Sequence, residues 1–535
     1  MPVMSEKIKR ILFFAGLTAL SLAAAYYVAV CTEYAPWGFS DSATYLSAAR
    51  NLAEGTGLGV VQPDGTFAPL QTFAPFYSIV LALFAGLNMD LVTAARFLDI
   101  FLFAALVGLS GWLFQSLCRS YLLSLGFGLL IAFSPALVVD FTSIMSDPLA
   151  ISLGVPGFLL VLLSIRDNSP KWMLVSAVLT GLSLLTRYAF AAFPLAALLC
   201  VFLLSTKPIR ERLRDAFKYA LISLSPMLVW IMLQVFSKSS VGSRHYSMDF
   251  SLSSKIETFF TQAYEVVAVW LPYRTNAIHG IDGVWIKPLL LALFAAIVIA
   301  GFMISAKKRK QDSAQYSAWV LNSGLLYLTL AYTAVLLVTY TVSTELISLD
   351  ERMFSPMIPV TLGLLLSCSL VLDRKTHPKL HLPFLGGIIV VLFVAYNYLP
   401  MRTHPSEVRT YPNGYTSPVW KELPILTGDV DLPSDRPLIS NAPDILLFYL
   451  NRSAFYLNRE TNPSGTTFSV LQPQQLTARM QQDCALLVLF EANAAELYEK
   501  YPNAITNQDI LDLQEVFSTT YQSENGMILI EEGCQ

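Results

Sequence analysis

The sequence predicts an α-helical membrane protein with about eleven transmembrane helices and a small C-terminal α/β domain. Hydrophobic residues make up 54% of the 535 residues and charged residues only 14%, whereas soluble domains carry about 25% charged residues. Apolar runs of about 17 to 25 residues recur over residues 1–400, and one such run crosses a hydrocarbon core roughly 30 Å thick. Residues 401–535 instead show short apolar strands between Pro-rich segments.

Basic clusters separate the apolar runs and set the predicted orientation. The positive-inside rule places all of them on the cytoplasmic side. They are Lys7 with Lys9 and Arg10, Arg119, Arg166 with Lys171, the segment 207–218, the segment 307–310, and Arg374 with Lys375 and Lys379.

The spans between these clusters begin inside and end outside. They are 11–30, 91–117, 121–139, 148–165, 172–186, 189–205, 216–236, 285–305, 318–343, 354–372 and 383–399. The first run exceeds the hydrophobic region of a usual signal peptide and further spans follow, so it is interpreted as a retained helix. Segment 75–87 is too short to cross, and a helix lying at the outer interface keeps the basic residues inside. Residues 400–535 are then outside.

The C-terminal segment predicts strands at PLIS, CALLVLF and MILIEE and a helix at PDILLFYLN. Cys484 and Cys534 lie in or beside two of these strands. In an oxidising compartment they could form a disulfide, and two free buried thiols are an equal alternative. The segment carries no catalytic motif, which favours a lid or an acceptor-recognition module.

Charge and cysteine spacing exclude several classes of function. A net charge of −3 does not favour a nucleic-acid partner. The six cysteines show no CxxC spacing, so the sequence predicts no zinc or redox motif and no metal ligands.

The polar stretch FSDSATYLSAARNLAEGTG, residues 39–57, stands directly outside the first span. We expect a helix over 42–54, capped by Asp41, because a side-chain oxygen can accept from exposed N–H groups at a helix start. A capping role alone is one interpretation. The alternative is a functional acid, since ionisable groups beside bilayer helices usually mark function.

Three further residues are placed on the outer face: Asp147 in DFTSIMSDPLA, Arg187 in LLTRY, and Arg352 in DERMFSPMIP. Guanidinium groups suit phosphate because their planar fork pairs two oxygens. We therefore expect Arg187 and Arg352 to converge on one outward-facing cavity. The alternatives are a helix cap for Asp147, an interfacial cation for Arg187, and an ion pair with Asp350 or Glu351 for Arg352.

The order of these features resembles the GT-C class of polytopic glycosyltransferases, in particular the protein-mannosyltransferase and aminoarabinose-transferase branch. The landmarks cover roughly residues 1–400 and occur in the family's order. They are the D-x-x-x-Y-x-x-x-A-x-x-L-x-x-G-x-G loop from Asp41 and Tyr45 to Gly57, the helix APFYSIVLALFAGL, Arg96 in AARFLDIF, SPALVVDFTSIMSDPLA, GLSLLTR and ERMFSPMIP.

The resemblance implies inverting transfer of one sugar from a polyprenyl-phosphate carrier to an acceptor hydroxyl. A positioned carboxylate would take the hydroxyl proton, and cations would stabilise the departing phosphate. Asp41 is the expected base. The expected substrate-binding residues are Tyr45, Asp147, Arg187, Tyr188, Glu351 and Arg352.

Two departures from the family pattern limit this expectation. Many relatives carry a second acid where this chain has Ser42, so a metal-ligating pair is not supported, and a divalent cation stays an open alternative. The WWDYG motif of oligosaccharyltransferases is absent, which argues against transfer of a large glycan to asparagine.

The expected location is a bacterial inner membrane, with the active site and the C-terminal domain extracytoplasmic. The acceptor may be any hydroxyl of a glycan, lipid or protein; the sequence does not choose among them. Alternative functions are a polysaccharide polymerase or ligase and a flippase or transporter of a lipid-linked sugar, although transporters usually carry polar groups at mid-bilayer and repeated halves.

Overall fold

The computed structural model describes residues 5–70, 72–236, 252–271, 286–309, 313–342, 349–376, 383–410, 414–457, 473–490, 516–523 and 526–534. Two compact units emerge. The helical unit comprises Met1–Glu33, Arg96–Met232 and His245–Glu407. The α/β unit comprises Tyr34–Ala95, Leu233–Arg244 and Val408–Gln535. The domain boundaries expected from sequence, 1–400 and 401–535, remain a proposal.

The helices are numbered along the chain. The first ten are α1 (Glu6–Cys31), α2 (Ser40–Ala53), α3 (Phe76–Ala85), α4 (Leu91–Cys118), α5 (Tyr121–Ala132), α6 (Pro135–Phe141), α7 (Asp147–Asp167), α8 (Pro170–Thr186), α9 (Ala192–Leu204) and α10 (Ile209–Phe236). The others are α11 (Leu252–Val269), α12 (Ile286–Lys308), α13 (Ser313–Val342), α14 (Glu351–Phe354), α15 (Met357–Thr376), α16 (Phe384–Thr410), α17 (Pro418–Lys421), α18 (Pro424–Thr427), α19 (Pro443–Leu450) and α20 (Pro473–Gln482).

Eight helices in the described parts of the chain are long and apolar enough to span a membrane, or nine if α5 and α6 form one bent span. The protein is therefore a multi-pass helical membrane protein, as predicted. The expected count of eleven is higher, because the expected spans 172–186 and 189–205 correspond to shorter apolar helices, Pro170–Thr186 and Tyr188–Leu204. The predicted short helix near 75–87 is also present, as the ten residues of α3.

The expected span 121–139 is broken rather than continuous. Its two halves, α5 and α6, meet at an angle of 59°. Pro135 begins α6, and Ser134 before it is extended, with φ −94° and ψ 109°. A residue before proline is disfavoured in the helical region, which explains the break. The redirected α6 ends next to the buried side chain of Asp140.

Helix α7 lies at the centre of the helical unit. It packs against α8, α9 and α13, and 89% of its most apolar stretch is buried. Such burial on all sides is typical of a core helix in a membrane bundle. Residues at the amino end of α7 are consequently shielded from lipid.

The α/β unit contains a small hairpin and a five-stranded sheet. The strands are β1 (Gly59–Val61), β2 (Phe67–Pro69), β3 (Leu438–Ser440), β4 (Phe455–Tyr456), β5 (Leu486–Leu489), β6 (Ser518–Ser523) and β7 (Gly526–Ile530). The strand order in the larger sheet is β4-β3-β5-β7-β6. β3 is parallel to β4 and β5, whereas β7 is antiparallel to β5 and β6.

Alternate residues of the central strands enter different hydrophobic clusters. Leu486 and Val488 of β5 lie in one cluster, and Leu487 and Leu489 lie in the other. Successive side chains of a strand point to opposite faces, so both faces of this sheet are covered. The predicted strands and the predicted helix, observed as α19, are confirmed.

The two candidate cysteines are joined. Cys484 and Cys534 form a disulfide with a Cα–Cα distance of 5.5 Å. The bond ties the start of β5 to the turn after β7, 50 residues later in sequence. Of the two alternatives left by the sequence, the structure has the disulfide.

Candidate functional site

The candidate site is centred on Asp147, the first residue of α7. Its side chain is only 1% exposed. The helix is capped at Ser146, so the interpretation of Asp147 as a simple N-cap is wrong. A buried carboxylate needs charged or hydrogen-bonding partners to offset its lost hydration, and two arginines supply them.

Arg187 is the first partner. Helix α8 ends at Thr186, and Arg187 follows in an extended conformation with φ −154° and ψ 126°. This turn directs its Nη1 to Asp147 Oδ2, which accepts a short, charge-assisted hydrogen bond. The side chain of Arg187 is 19% exposed, which excludes the interpretation of a purely interfacial cation reaching into headgroups.

Arg352 is the second partner, and it lies on the short helix α14. Its Nε donates to the same Asp147 Oδ2 at 3.0 Å. The alternative pairing with its chain neighbours is not observed for Asp350, whose carboxylate instead caps α14 by accepting from the Met353 N–H at 2.9 Å. Both guanidinium groups therefore converge on one carboxylate oxygen.

Surrounding hydroxyls hold Arg352 in place. Tyr332 of α13, 1% exposed, donates to the Met353 carbonyl at 2.9 Å. Ser355 donates to the Arg352 carbonyl at 2.9 Å. Because a four-residue helix has little stability of its own, these bonds fix the orientation of α14 against α13.

Asp140 adds a second acid to the cluster. It is buried at the end of α6 and interacts with the Ser355 side chain and with the charges of Asp147, Arg352 and Arg187. Two carboxyl groups and two guanidinium groups thus share one buried region. Asp140 Oδ2 and Asp147 Oδ1 are buried and have no hydrogen-bond partner within the described part of the chain. These two oxygens could accept hydrogen bonds from a substrate.

Glu351 and Tyr188 border this cluster in sequence. Glu351 is exposed on α14, and partial desolvation, followed by the neighbouring charge of Asp350, raises the pKa of its carboxyl group above the usual range. Tyr188 begins the turn Tyr188–Ala191, and its hydroxyl accepts from Trp230 Nε1 at 3.2 Å. Tyr188 is partly exposed.

Asp41 belongs to the α/β unit and does not cap α2. The helix begins at Ser40, one turn position earlier than expected, and Phe39 is the capping residue. The side chain of Ser42 accepts from the Phe39 N–H at 2.9 Å. Asp41 lies in the first turn, where its negative charge is favoured by the helix dipole. The expected cap is therefore wrong, while the acid remains at the predicted helix start.

Tyr45 is enclosed by aromatic rings. It is 3% exposed, with the rings of Phe73 and Tyr77 at centroid distances of 5.0 and 5.1 Å. Ser78 of α3 donates to the Tyr45 carbonyl at 3.2 Å. These contacts join α2 to α3.

Two members of the buried cluster were not among the residues expected from sequence. Asp140 lies seven positions before Asp147, but a break between helices was needed to turn it inward. Tyr332 lies within a long apolar helix, where a tyrosine gives no local signal of a site. Within the described residues, no group of three or more His, Cys, Asp or Glu side chains could hold a metal ion.

Comparison with solved structures identifies the fold. ArnT from Cupriavidus metallidurans bound to undecaprenyl phosphate has a TM-score of 0.55 at 12% identity, over 98% of both chains. The same protein in the apo state gives a TM-score of 0.57 at 12% identity, again over 98% of both chains. The Archaeoglobus fulgidus oligosaccharyltransferase AglB, in complex with an inhibitory peptide and a dolichol-phosphate, gives 0.50 at 11% identity, over 94% of this chain and 72% of that chain. The chain thus has a GT-C-like fold.

Sequence comparison gives a different and shorter match. Residues 226–356 match the family model of the branched-chain amino acid transport protein. No curated protein matches the sequence.

Proposed function

We propose that this protein is a membrane glycosyltransferase that moves one sugar from a polyprenyl-phosphate carrier to an acceptor hydroxyl. The observation that carries the proposal is the convergence of Arg187 and Arg352 on Asp147 Oδ2 in a chain with a GT-C-like fold. ArnT and AglB, which share this fold, were solved with undecaprenyl phosphate and a dolichol-phosphate.

In the proposed site, Arg187 and Arg352 bind the lipid phosphate. Asp147 holds both guanidinium groups in place when the donor is absent, so their geometry does not have to form anew on binding. Each arginine has several N–H donors in a planar fork and can therefore contact a phosphate while keeping its bond to Asp147. The buried position of Asp147 strengthens these charge interactions relative to water.

The proposed reaction is an inverting displacement. The acceptor O–H proton passes to the Asp41 carboxylate as the acceptor oxygen forms a bond to the anomeric carbon. The bond from that carbon to the phosphate oxygen breaks, and its electron pair leaves with the phosphate. The two guanidinium groups stabilise the charge that develops there. Asp147, with its remaining oxygen, Tyr188 and Glu351 orient sugar or acceptor, whereas Tyr45 supports α2 from within its aromatic cluster.

The proposed location is a bacterial inner membrane, with the site and the C-terminal segment on the extracytoplasmic side. The disulfide between Cys484 and Cys534 supports this orientation, because disulfides persist in oxidising compartments and are rare in the cytosol. The basic clusters at the other ends of the spans agree with it.

The proposal is tested with purified protein in lipid vesicles that contain a radiolabelled polyprenyl-phosphate sugar. Envelope extracts stripped of this protein supply the acceptor. We expect loss of label from the lipid and its appearance in a new product, with no loss in heated protein. An intact donor in the presence of every extract fraction would contradict the proposal.

The transport match over residues 226–356 supports a second candidate, movement of a lipid-linked sugar across the bilayer. The same vesicles separate the two functions. A transporter would expose the labelled donor on the other leaflet without cleaving it, whereas the transferase cleaves it. The charged cluster at the amino end of the most buried helix favours the transferase.

A further inference from the structure

The stretch that carries Asp41 also carries Arg50 and Asn51, which the proposed chemistry leaves without a role. Arg50 Nη1 donates to the Phe448 carbonyl at 2.8 Å, across 398 residues of sequence. Phe448 lies in the last turn of α19, where carbonyls lack partners within the helix. A cation is favoured at this end of a helix by the helix dipole. Arg50 therefore binds the carboxyl end of α19.

Asn51 makes a second connection to the same helix end. Its side chain is buried, with an exposure of 3%. Its Oδ1 accepts from Asn451 Nδ2 at 3.0 Å, and its own Nδ2 donates to the Gly59 carbonyl at 2.9 Å. Asn451 is the left-handed residue that ends α19, with φ 55° and ψ 31°. One amide thus joins α2, the start of β1 and the end of α19.

The segment before α2 is fixed to the same region. Tyr415 N donates to the Gly38 carbonyl at 2.8 Å, and Thr416 Oγ1 donates to the Pro36 carbonyl at 2.7 Å. Gly414, at φ +77°, approaches so closely that a Cβ atom would lie 2.2 Å from the Gly38 oxygen. Contacts with the C-terminal segment therefore hold α2 at both of its ends.

We propose that Arg50 and Asn51 are positioning residues: by gripping the end of α19 they set the place of α2 and hence of Asp41. The proposal rests on the assignment of Asp41 as the base. Nine residues of helix separate Asp41 from Arg50, about 14 Å at 1.5 Å per residue. A small rotation at the grip therefore moves the carboxylate by a distance that matters, since a 1 Å misplacement can lower a rate about 100-fold.

The decisive variant is Asn451→Gly. Glycine adopts the left-handed conformation readily, so the end of α19 is preserved while the hydrogen bond to Asn51 is lost. We expect kcat to fall about 10- to 100-fold, with an unchanged KM for the lipid donor and an unchanged melting temperature. Amide hydrogen exchange in peptides covering residues 40–53 should become faster.

The matched control is Asn168→Gly. Asn168 ends α7 in the same left-handed conformation, with φ 51° and ψ 40°, but it contacts neither α2 nor α19 in any described hydrogen bond. Its kcat and the exchange in 40–53 should equal the wild-type values. A second pair tests Arg50: Arg50→Met should lower kcat, and Arg50→Lys, which keeps a cation near the Phe448 carbonyl, should restore part of it.

The outcomes separate this proposal from the assignment of Asp41. If Asn451→Gly matches its control in both kcat and exchange while Asp41→Asn is inactive, the positioning role is wrong and the base assignment stands. If Asp41→Asn is active, the base assignment is wrong, and the exchange in 40–53 alone decides whether Asn51 and Asn451 hold α2. Unchanged exchange in Asn451→Gly overturns the grip in either case.

Discussion

Arg352 Nε lies 3.0 Å from Asp147 Oδ2, although 205 residues separate the two in sequence. Arg187 reaches the same oxygen from 40 residues away. Three elements that are distant in the chain, the start of α7, the end of α8 and the helix α14, therefore present one carboxylate and two cations together. This arrangement leads to the first of five predictions.

Replacing either arginine by lysine should impair donor binding nearly as much as replacement by alanine. Lysine keeps the charge but loses the planar fork, so it cannot serve Asp147 and a phosphate in the same geometry. A lost hydrogen bond to a charged group costs about 1.5–3 kcal/mol, so the KM for the lipid donor should rise roughly 10- to 150-fold in Arg187→Lys and Arg352→Lys. Arg166→Lys, which alters a pair with Asp167 at the other end of α7, is the control. Near-normal KM values in both lysine variants would remove the phosphate site from this cluster.

Asp41→Asn should abolish most sugar transfer with little effect on folding. Asparagine cannot take the acceptor proton, and a general base contributes about 10²- to 10⁴-fold to the rate. Since Asp41 is not the cap of α2, the variant loses only the interaction of its charge with the helix dipole, about 0.3–1 kcal/mol. Single-turnover transfer and thermal melting measure the two effects. Asp64→Asn, in the turn between β1 and β2, controls for a lost charge in the same unit. Normal transfer by Asp41→Asn would make Asp147 the next candidate.

Asp147→Ala should destabilise the helical unit strongly. Removing one partner of a buried ion pair leaves uncompensated charge and costs about 3–5 kcal/mol, and here one carboxylate serves two arginines. Asp147→Asn keeps an acceptor and should cost less. Thermal melting in detergent gives the order of the variants. The double variant Asp147→Ala with Arg187→Met should recover part of the loss, and a fully additive loss would show that the two side chains are not coupled.

Glu351 should make stability depend on pH. Its folded-state pKa is raised above the ordinary value of 4.5, so the folded state holds this proton more tightly than the unfolded state does. Its contribution to stability is complete below about pH 4.5 and is lost as the pH rises through the folded-state pKa. The melting temperature of the wild type, relative to Glu351→Gln, should therefore decrease between pH 4 and about pH 7. Glu265→Gln, another exposed glutamate of the helical unit, should show no such trend. A difference that increases with pH would reverse the sign and refute the assignment.

The disulfide should report the side of the membrane on which the C-terminal segment folds. In intact cells, Cys484 and Cys534 should resist thiol reagents until a reductant is added, and a reporter active only in the cytoplasm should be silent when fused after Gln535. Cys484→Ser with Cys534→Ser opens a loop of 50 residues, for which loop-closure entropy predicts a loss of about 4 kcal/mol. Active reporter together with reduced cysteines would place the segment in the cytoplasm and move the proposed site with it.

Local sequence patterns were sufficient for the elements and for several individual residues of the site. Alternating apolar residues identified β5 and β7, and polar residues around a short apolar run identified α19. Asp147, Arg187 and Arg352 were singled out because each stands at the end of an apolar run. Their common contact could not be predicted, since ion pairing between distant helices leaves no periodic signal in either helix.

The errors have equally specific causes. Asp41 was expected to cap α2 because aspartate is a better capping residue than its neighbours, yet Phe39 takes that position and the side chain of Ser42 accepts from its N–H. The count of eleven spans treated every apolar run as a full crossing, whereas Arg187 ends α8 after 17 residues and Pro135 divides α5 from α6.

The grip of Arg50 on Phe448 also has a consequence for the order of events during biosynthesis. The ribosome adds about 5–20 residues per second, so the 398 residues between these partners take roughly 20–80 s to make. During that interval α2 has already been synthesised, while the membrane helices of the chain are still being inserted one after another. The helix that carries Asp41 must therefore wait, without its later partner, until the last of them has emerged. A nascent chain is in this way kept from arranging its proposed base before the rest of the machinery exists, and chaperones that bind exposed segments have a defined window in which to act on residues 40–53.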